Sequence, residues 1–250
     1  MKNKFEKKYK DLLKKCISKK VKTSNRTGVD TYKLFNQTLN INLSKGFPII
    51  TGKKIFFNKA FAEFNWIYNG QTDLKYLHDN NIYWWDDFVM EDNTLGKVYG
   101  YQIRKFNSNF DQIKYCINEI KNNSRRAVIT LWNPSELKDQ ALPCCYTQFN
   151  FVRINNKLNM SMSFRSSDMF LGLPYDIIVG ALLLIKISKE TKLIPNMLGL
   201  NLADAHIYVS HLPQIKKYLN SKIYRLPTLL PENKLINYQS NKYIKTKIVL

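Results

Sequence analysis

Several features are missing from this sequence of 250 residues, and each absence narrows what the protein can be. The four cysteines include no C-x-x-C spacing, so no metal site is predicted, and the adjacent Cys144 and Cys145 are poor partners for a structural disulfide. The first residues, MKNKFEKKYK, lack the apolar core of a secretory signal. The longest apolar run, 177–185, is too short to span a bilayer and predicts a buried helix. We therefore expect a reduced, cytoplasmic protein that does not bind a membrane.

Acidic residues are scarce: 19 Asp and Glu stand against 39 Lys and Arg, a formal charge of +20. Such an excess attracts anions, whether nucleotides, nucleic acid or acidic lipid. Lys, Asn and Ile are abundant together, however, as an AT-rich genome would produce. The charge alone therefore does not predict nucleic-acid binding, and a non-enzymatic RNA-binding protein is kept only as an alternative.

The chain also lacks linker-like, repetitive or low-complexity segments, and 44% of its residues are hydrophobic. One α+β domain over residues 1–250 is the simplest architecture. Periodicity predicts these elements, in chain order: an amphipathic helix with Phe5, Tyr9, Leu12, Leu13 and Cys16 on one face; one strand or a strand pair at 31–43; a helix at 58–69; a strand at 127–132; a hairpin at 148–164; a helix from Pro174 to about Lys189; and a helix from His206 to Leu219.

Eight separated motifs point in one direction. They are NRTG (25–28), GFPIITGKK (46–54), YLHDNNIYWWDDF (76–88), LGKVYGYQIR (95–104), SRRAVITLWNPSEL (124–137), the Cys144-Cys145 pair, RSSDMFLGLPYDI (165–177) and DAHIY (204–208). In this order and spacing the chain resembles the thymidylate synthase family along nearly its whole length. The resemblance implies a single α/β domain with a large twisted mixed β-sheet, flanked by helices, at the interface of a homodimer.

The resemblance also implies a cysteine thiolate that attacks carbon 6 of a pyrimidine nucleoside monophosphate. In register, that nucleophile is Cys145, and Cys144 occupies the place of the family's usual preceding proline. Cys144 is the alternative, although a buried, unreactive cysteine is the expected reading for it. A reactive thiolate needs a positive neighbourhood, which Arg165 could supply.

By resemblance, the substrate phosphate is bound by Arg26, Arg165 and Ser166, joined by Arg125 and Arg126 from the other subunit. Guanidinium forks suit a dianionic phosphate because they bind bidentately and stay charged.

The pair His206 and Tyr208 resembles the pair that holds the sugar 3′-hydroxyl. Nothing in the sequence separates a ribose from a deoxyribose substrate.

Asp176 is the residue expected to read the base. In thymidylate synthases this position is Asn, which matches uracil, and Asp is typical of the cytidylate hydroxymethylases that resemble them. A carboxyl group can accept from the exocyclic amino group of cytosine and share a proton with nitrogen 3. The alternative is that Asp176 caps the N-terminus of a helix.

The one-carbon donor implied by the resemblance is methylenetetrahydrofolate. Glu63 is expected to organise water and proton transfers, and Tyr99 to assist proton removal from carbon 5. Asp168 is expected to bind the pterin and take part in catalysis. The folate site would be lined by Trp85, Gly172 and Tyr175.

The product depends on whether hydride or water reaches the exocyclic methylene of the base. Tyr146 and Asn150 replace the family's usual His and Gln, and the final residues, NYQSNKYIKTKIVL, lack its common Gly-Tyr and His-Pro features. We expect these departures to favour water, and therefore C5 hydroxymethylation of a cytosine nucleotide, dCMP or CMP. Methylation of the same nucleotide and methylation of dUMP by an ordinary thymidylate synthase are the alternatives.

Overall fold

The computed structural model describes residues 3–249. Its α-helices are α1 (Lys4–Lys19), α2 (Phe57–Tyr68), α3 (Lys75–Asp79), α4 (Tyr99–Lys105), α5 (Gln112–Lys121), α6 (Leu173–Thr191) and α7 (Leu212–Leu219). Its strands are β1 (Lys22–Thr23), β2 (Thr31–Asn42), β3 (Val128–Thr130), β4 (Tyr146–Ile154), β5 (Lys157–Phe164), β6 (Ser167–Asp168), β7 (Ile194–Tyr208), β8 (Thr228–Leu229) and β9 (Leu235–Ile236). Short 3-10 segments lie at Leu43–Lys45, Asp86–Phe88, Pro134–Asp139 and Val209–His211.

Seven strands form one mixed sheet in the order β1-β2-β7-β5-β4-β3, with β6 pairing with β7. The β2–β7, β4–β5 and β3–β4 pairs are antiparallel, whereas β7 runs parallel to β5 and β6. The helices pack on this sheet and on one another, which confirms the predicted single α+β domain with a large mixed sheet flanked by helices. That the sheet lies at a dimer interface stays a prediction.

Local sequence explains where α1 begins and ends. The Asn3 side chain accepts a hydrogen bond from the Glu6 N–H at 3.0 Å, which satisfies one free donor of the first turn. Phe5, Tyr9 and Leu13 recur at helical spacing and are buried against the core. Lys20 then adopts a left-handed conformation that ends the helix. The predicted helix at the start of the chain is confirmed.

Helix α6 is the central buried helix of the domain, and it carries the Asp176 position in its first turn. Pro174 suits that turn because its missing N–H has no acceptor to lose there. Further along, Gly180 allows a close approach to the sheet: a Cβ at this position would lie 3.0 Å from Met162 Sδ. The sheet and the helix that frame the site are therefore packed directly together.

The sequence prediction was wrong at 206–208, where a helix was expected to begin. These residues end the 15-residue strand β7, pairing with β2 so that Lys33 faces His206 and Thr31 faces Tyr208. The helix α7 starts only at Leu212, with Pro213 in its first turn. Because side chains alternate along a strand, His206 and Tyr208 point to the same face of the sheet.

Candidate active site

Cys145 lies immediately before β4, where three contacts with Tyr99 and Arg165 fix its surroundings. Its N–H donates to the Tyr99 hydroxyl at 2.8 Å, and its carbonyl accepts from the Arg165 N–H at 3.0 Å. Its Sγ lies 4.0 Å from Arg165 Nη2. Burial raises the pKa of the Cys145 thiol, although the Arg165 and Arg26 guanidinium groups oppose this shift. The thiolate is thus available near a positive charge, but it is not the resting form at neutral pH.

Cys144 differs from its neighbour in both access and acidity. Its side chain is completely buried, whereas that of Cys145 is half-buried. Burial raises the pKa of the Cys144 thiol to about 12. The structure therefore supports the reading of Cys144 as an inert core residue.

The Arg165 guanidinium is positioned by hydrogen bonds to backbone carbonyls rather than by acidic side chains. Its Nε donates to the Cys144 carbonyl at 2.9 Å, and Nη2 donates to the Pro143 carbonyl at 2.6 Å. It also lies over the Trp132 ring, 5.6 Å from the centroid. Within residues 3–249 Arg165 forms no ion pair with a carboxylate, so its charge is free to attract an anion.

Glu63 is a buried acid on α2 that faces two tryptophans. Its Oε1 accepts from Trp84 Nε1 at 2.9 Å and from Trp85 Nε1 at 2.7 Å. Burial raises the pKa of Glu63, and the two indole hydrogen bonds oppose that rise. Its second oxygen accepts from no other residue in the described range 3–249. Glu63 is therefore not an exposed helical acid, and one of its oxygens remains available.

Asp176 presents a carboxyl group that the protein does not use. Within residues 3–249 neither of its oxygens has a hydrogen-bond partner, and helix α6 has no side-chain cap. Burial, reinforced by the nearby carboxylates of Glu63 and Asp168, raises the pKa of Asp176 well above its ordinary value. The capping alternative is thus not supported. A carboxyl group that tends to keep its proton, on a residue that is only partly buried by accessible surface, thus lies near Cys145.

Asp168 is held in place by the turn that leads into α6. Its Oδ1 accepts from the N–H groups of Phe170 and Leu171, at 2.9 and 3.2 Å. Strand β6 pairs Asp168 with His206 of β7, which brings two predicted site residues together. Gly172 lies immediately before α6. A Cβ atom added at this position would lie 3.7 Å from Asp176 Oδ2.

Aromatic rings form a platform beside these acids. The Tyr175 and Trp84 rings lie 5.4 Å apart, both half-buried. Trp85 packs instead on Trp66 and Tyr99, at 6.3 and 6.0 Å. Half-exposed rings next to an acid with a free oxygen suit a flat, hydrogen-bonding heterocycle such as a pterin. Trp84, next to the predicted Trp85 in the WW pair, was missed by the sequence reasoning.

His206 is oriented by a short chain of polar contacts. Its Nδ1 lies 3.1 Å from Asp204 Oδ1, and Lys33 Nζ donates to Asp204 Oδ2 at 2.9 Å. This arrangement leaves Nε2 unused by the described residues. The Tyr208 ring packs edge-on against His206 at 5.4 Å. Their predicted role in binding a sugar hydroxyl stays a prediction.

Lys53, from the GFPIITGKK motif, is another residue that the sequence reasoning left unassigned. It is 4% exposed, and its Nζ donates to the Phe170 carbonyl at 2.6 Å. Burial lowers the pKa of Lys53 to about 8, although Asp168 opposes the shift. The motif contained this residue, but only the fold shows that it borders Asp168.

The remaining phosphate candidates are all accessible. Arg26 is exposed and Ser166 half-buried. Arg125 and Arg126 lie exposed ahead of β3, and their side chains form no hydrogen bond to any other residue in 3–249. Their role across a subunit interface stays a prediction.

Neither a metal site nor a membrane span is found in the described part of the chain. No group of three or more His, Cys, Asp or Glu side chains there could hold a metal ion. No helix between residues 3 and 249 is long and apolar enough to cross a membrane.

Cys145 thus lies near Arg165 and Asp176, and Glu63 contacts the two tryptophans of the aromatic platform. The family model described as Thymidylate synthase matches residues 7–249. The chain belongs to the thymidylate synthase family, which carries out folate-dependent one-carbon transfer with methylenetetrahydrofolate as co-substrate.

Proposed function

We propose that this protein hydroxymethylates carbon 5 of a cytosine nucleotide, dCMP or CMP, using methylenetetrahydrofolate and water. The observation that carries the proposal is the Asp176 carboxyl group, which forms no hydrogen bond with the described part of the chain and whose pKa is raised well above its ordinary value. A buried polar group without a partner selects the ligand that satisfies it.

The chemistry of the two pyrimidine edges favours cytosine. A neutral Asp176 donates its proton to nitrogen 3 of cytosine and accepts from the exocyclic amino group. Nitrogen 3 is a basic atom, so the proton is shared and the hydrogen bond is charge-assisted. With uracil the same proton would meet a weakly basic carbonyl oxygen, and once Asp176 ionised its charge would repel that oxygen. The bond to cytosine is therefore the stronger one.

Each remaining residue has a role consistent with its surroundings. Cys145 adds to carbon 6 as a thiolate, with Arg165 stabilising the negative sulfur. Arg26, Arg165 and Ser166 bind the phosphate, together with Arg125 and Arg126 of a second subunit in a homodimer. His206 and Tyr208 bind the 3′-hydroxyl.

The folate co-substrate supplies the one-carbon unit that becomes attached to carbon 5. On the protein side, Asp168 offers its free oxygen to the pterin, and Gly172, Tyr175 and Trp85 line the same space. Glu63 and Tyr99 border the base, where Glu63 orders water and Tyr99 assists removal of the carbon 5 proton.

Water rather than hydride completes the reaction in this proposal. Tyr146 and Asn150 occupy the positions where the sequence departs from the usual pattern, and Asn150 lies within β4 opposite Ser161. Hydride transfer would oxidise the folate to dihydrofolate, whereas water leaves its oxidation state unchanged.

The decisive experiment is incubation with methylenetetrahydrofolate and each of four monophosphates, cytidylate and uridylate in ribo and deoxy forms, followed by mass spectrometry. We expect a hydroxymethyl group on cytosine and no dihydrofolate. A methyl group on uracil with dihydrofolate would contradict the proposal. A methyl group on cytosine would support the proposed substrate and contradict the proposed product. Salt-sensitive oligonucleotide binding without any turnover would favour the RNA-binding alternative.

A further inference from the structure

Tyr146 is a buried aromatic residue directly after the candidate nucleophile. It is 3% exposed and opens β4, where it pairs with Phe164 of β5. Its ring packs against those of Tyr99, Phe149 and Phe164, with centroids 4.5, 5.6 and 5.8 Å away. A ring enclosed on these sides holds its hydroxyl group in a fixed position.

The Tyr146 hydroxyl has no hydrogen-bond partner within residues 3–249. It is nevertheless not sealed in the core, unlike the Ser167 hydroxyl, which is enclosed and also lacks a partner. Buried polar groups in proteins are almost always paired with protein, water or ligand. An ordered, accessible hydroxyl without a protein partner is therefore positioned for a small polar molecule.

Two acids lie near Tyr146, whose ring contacts that of Tyr99, and Tyr99 in turn packs on Trp85, which donates to Glu63. After burial itself, the carboxyl groups of Asp176 and Glu63 are the strongest influences that raise the pKa of Tyr146. Among residues 3–249, Asp176 has no side-chain hydrogen-bond partner, and Glu63 uses only Oε1. Three polar groups with unused hydrogen-bonding capacity thus lie in the neighbourhood of Cys145, and an ordered water needs partners of this kind.

We propose that the Tyr146 hydroxyl holds the water molecule that attacks the exocyclic methylene carbon of the bound base. The inference rests on the proposed hydroxymethylation. The phenol donates a hydrogen bond to one lone pair of the water, Glu63 accepts one of its hydrogens, and the second lone pair is directed at the methylene carbon.

The step balances without an oxidant or a reductant. The water oxygen forms a bond to the methylene carbon, and the electron pair of the exocyclic double bond moves into the ring. That pair then forms the carbon 5–carbon 6 double bond as the Cys145 sulfur leaves. The proton taken up by Glu63 returns to the departing thiolate, so that the products are the hydroxymethyl nucleotide and the free Cys145 thiol.

The test is Tyr146→Phe, which removes only the hydroxyl. Exchange of the carbon 5 hydrogen of cytidylate with deuterated solvent, measured by NMR without folate, reports on addition of Cys145 alone. Hydroxymethyl product, measured with folate by mass spectrometry, reports on the attack of water. We expect the ratio of hydroxymethylation to exchange to fall roughly tenfold, the effect of losing one hydrogen bond.

Tyr115→Phe, at a half-buried tyrosine on α5, is the matched control and should leave that ratio unchanged. The melting temperature of Tyr146→Phe should equal or exceed that of the parent protein, because no protein hydrogen bond is lost.

An unchanged ratio in Tyr146→Phe would overturn the inference, whether both reactions keep their rates or both slow by the same factor. If the parent protein exchanged the carbon 5 hydrogen but formed no hydroxymethyl product, the proposed function itself would fail. The two failures are therefore distinguishable.

Discussion

Replacing Asp176 by Asn is the sharpest perturbation of base selection. The change is nearly isosteric, and within residues 3–249 it removes no protein hydrogen bond of the side chain. A hydrogen bond that involves a charged group contributes about 1.5–3 kcal/mol, against about 0.5–1.5 kcal/mol for a neutral one. An amide can rotate to meet cytosine, but it cannot share a proton with nitrogen 3. The Asn amide can form its hydrogen bonds with uracil without sharing a proton.

We therefore expect Asp176→Asn to lose roughly tenfold in kcat/KM for cytidylate and to gain about as much for uridylate, a change of roughly a hundredfold in preference. Competition between the two nucleotides in one reaction, with products counted by mass spectrometry, measures that ratio directly. Asp11→Asn, at an exposed acid on α1, is the matched control. Unchanged preference in Asp176→Asn would place base selection elsewhere.

The stability of the same variant has a predicted sign. Burial in the folded state raises the pKa of Asp176 above its ordinary value of 3.8. Its stabilising contribution is thus present below about pH 3.8 and is lost as the pH rises through the folded pKa. Asn has no such dependence, so Asp176→Asn should be as stable as the parent at low pH and more stable at neutral pH in urea titrations. A loss of stability at neutral pH would show that the carboxyl group supports the fold.

Three further outcomes follow from the structure. Cys145→Ser should abolish turnover and Cys144→Ser should retain it in the same product assay; the reverse would move the nucleophile to Cys144. Arg126→Glu and Cys145→Ser, each inactive alone, should regain activity when mixed under conditions of subunit exchange, because one mixed dimer would then hold an intact site; continued inactivity would argue against arginine sharing. Glu6→Ala should lower the free energy of unfolding by about 3 kcal/mol in urea titrations, because buried Glu6 accepts from the Thr51 and Gly52 N–H groups and the Tyr218 hydroxyl; a change well below 1 kcal/mol would show that these donors find other partners.

Elements with strong local patterns could be predicted from the sequence. The amphipathic spacing of α1, the alternation and Asn155 turn of the β4–β5 hairpin, and the apolar run of α6 all specify their structures locally. Strand β7 could not be predicted in this way, because its pairing with β2 and β5 joins distant parts of the chain. Tertiary pairing also kept His206 in a strand where a helix had been predicted.

In the candidate site, too, some features could be predicted from local sequence and others depend on the fold. Sequence register predicts Cys145, Arg165 and Asp176 as site residues because the motifs that carry them are contiguous, and the structure brings Arg165 and Asp176 near Cys145. The sequence could not reveal that Tyr146 and Glu63 retain unused hydrogen-bonding capacity, because that depends on what the fold places around them. The sequence also could not show the effect of burial: Arg165 lies beside Cys145 and favours its thiolate, yet burial outweighs it and raises the pKa of the thiol.

The most direct test of base recognition is nitrogen-15 NMR of cytidylate labelled at nitrogen 3 and bound to Cys145→Ser protein. Sharing of the Asp176 proton predicts that nitrogen 3 moves towards the signal of a protonated nitrogen and couples to a hydrogen, and that adding Asp176→Asn removes both effects. A bound signal identical to that of free, neutral cytidylate would contradict the account.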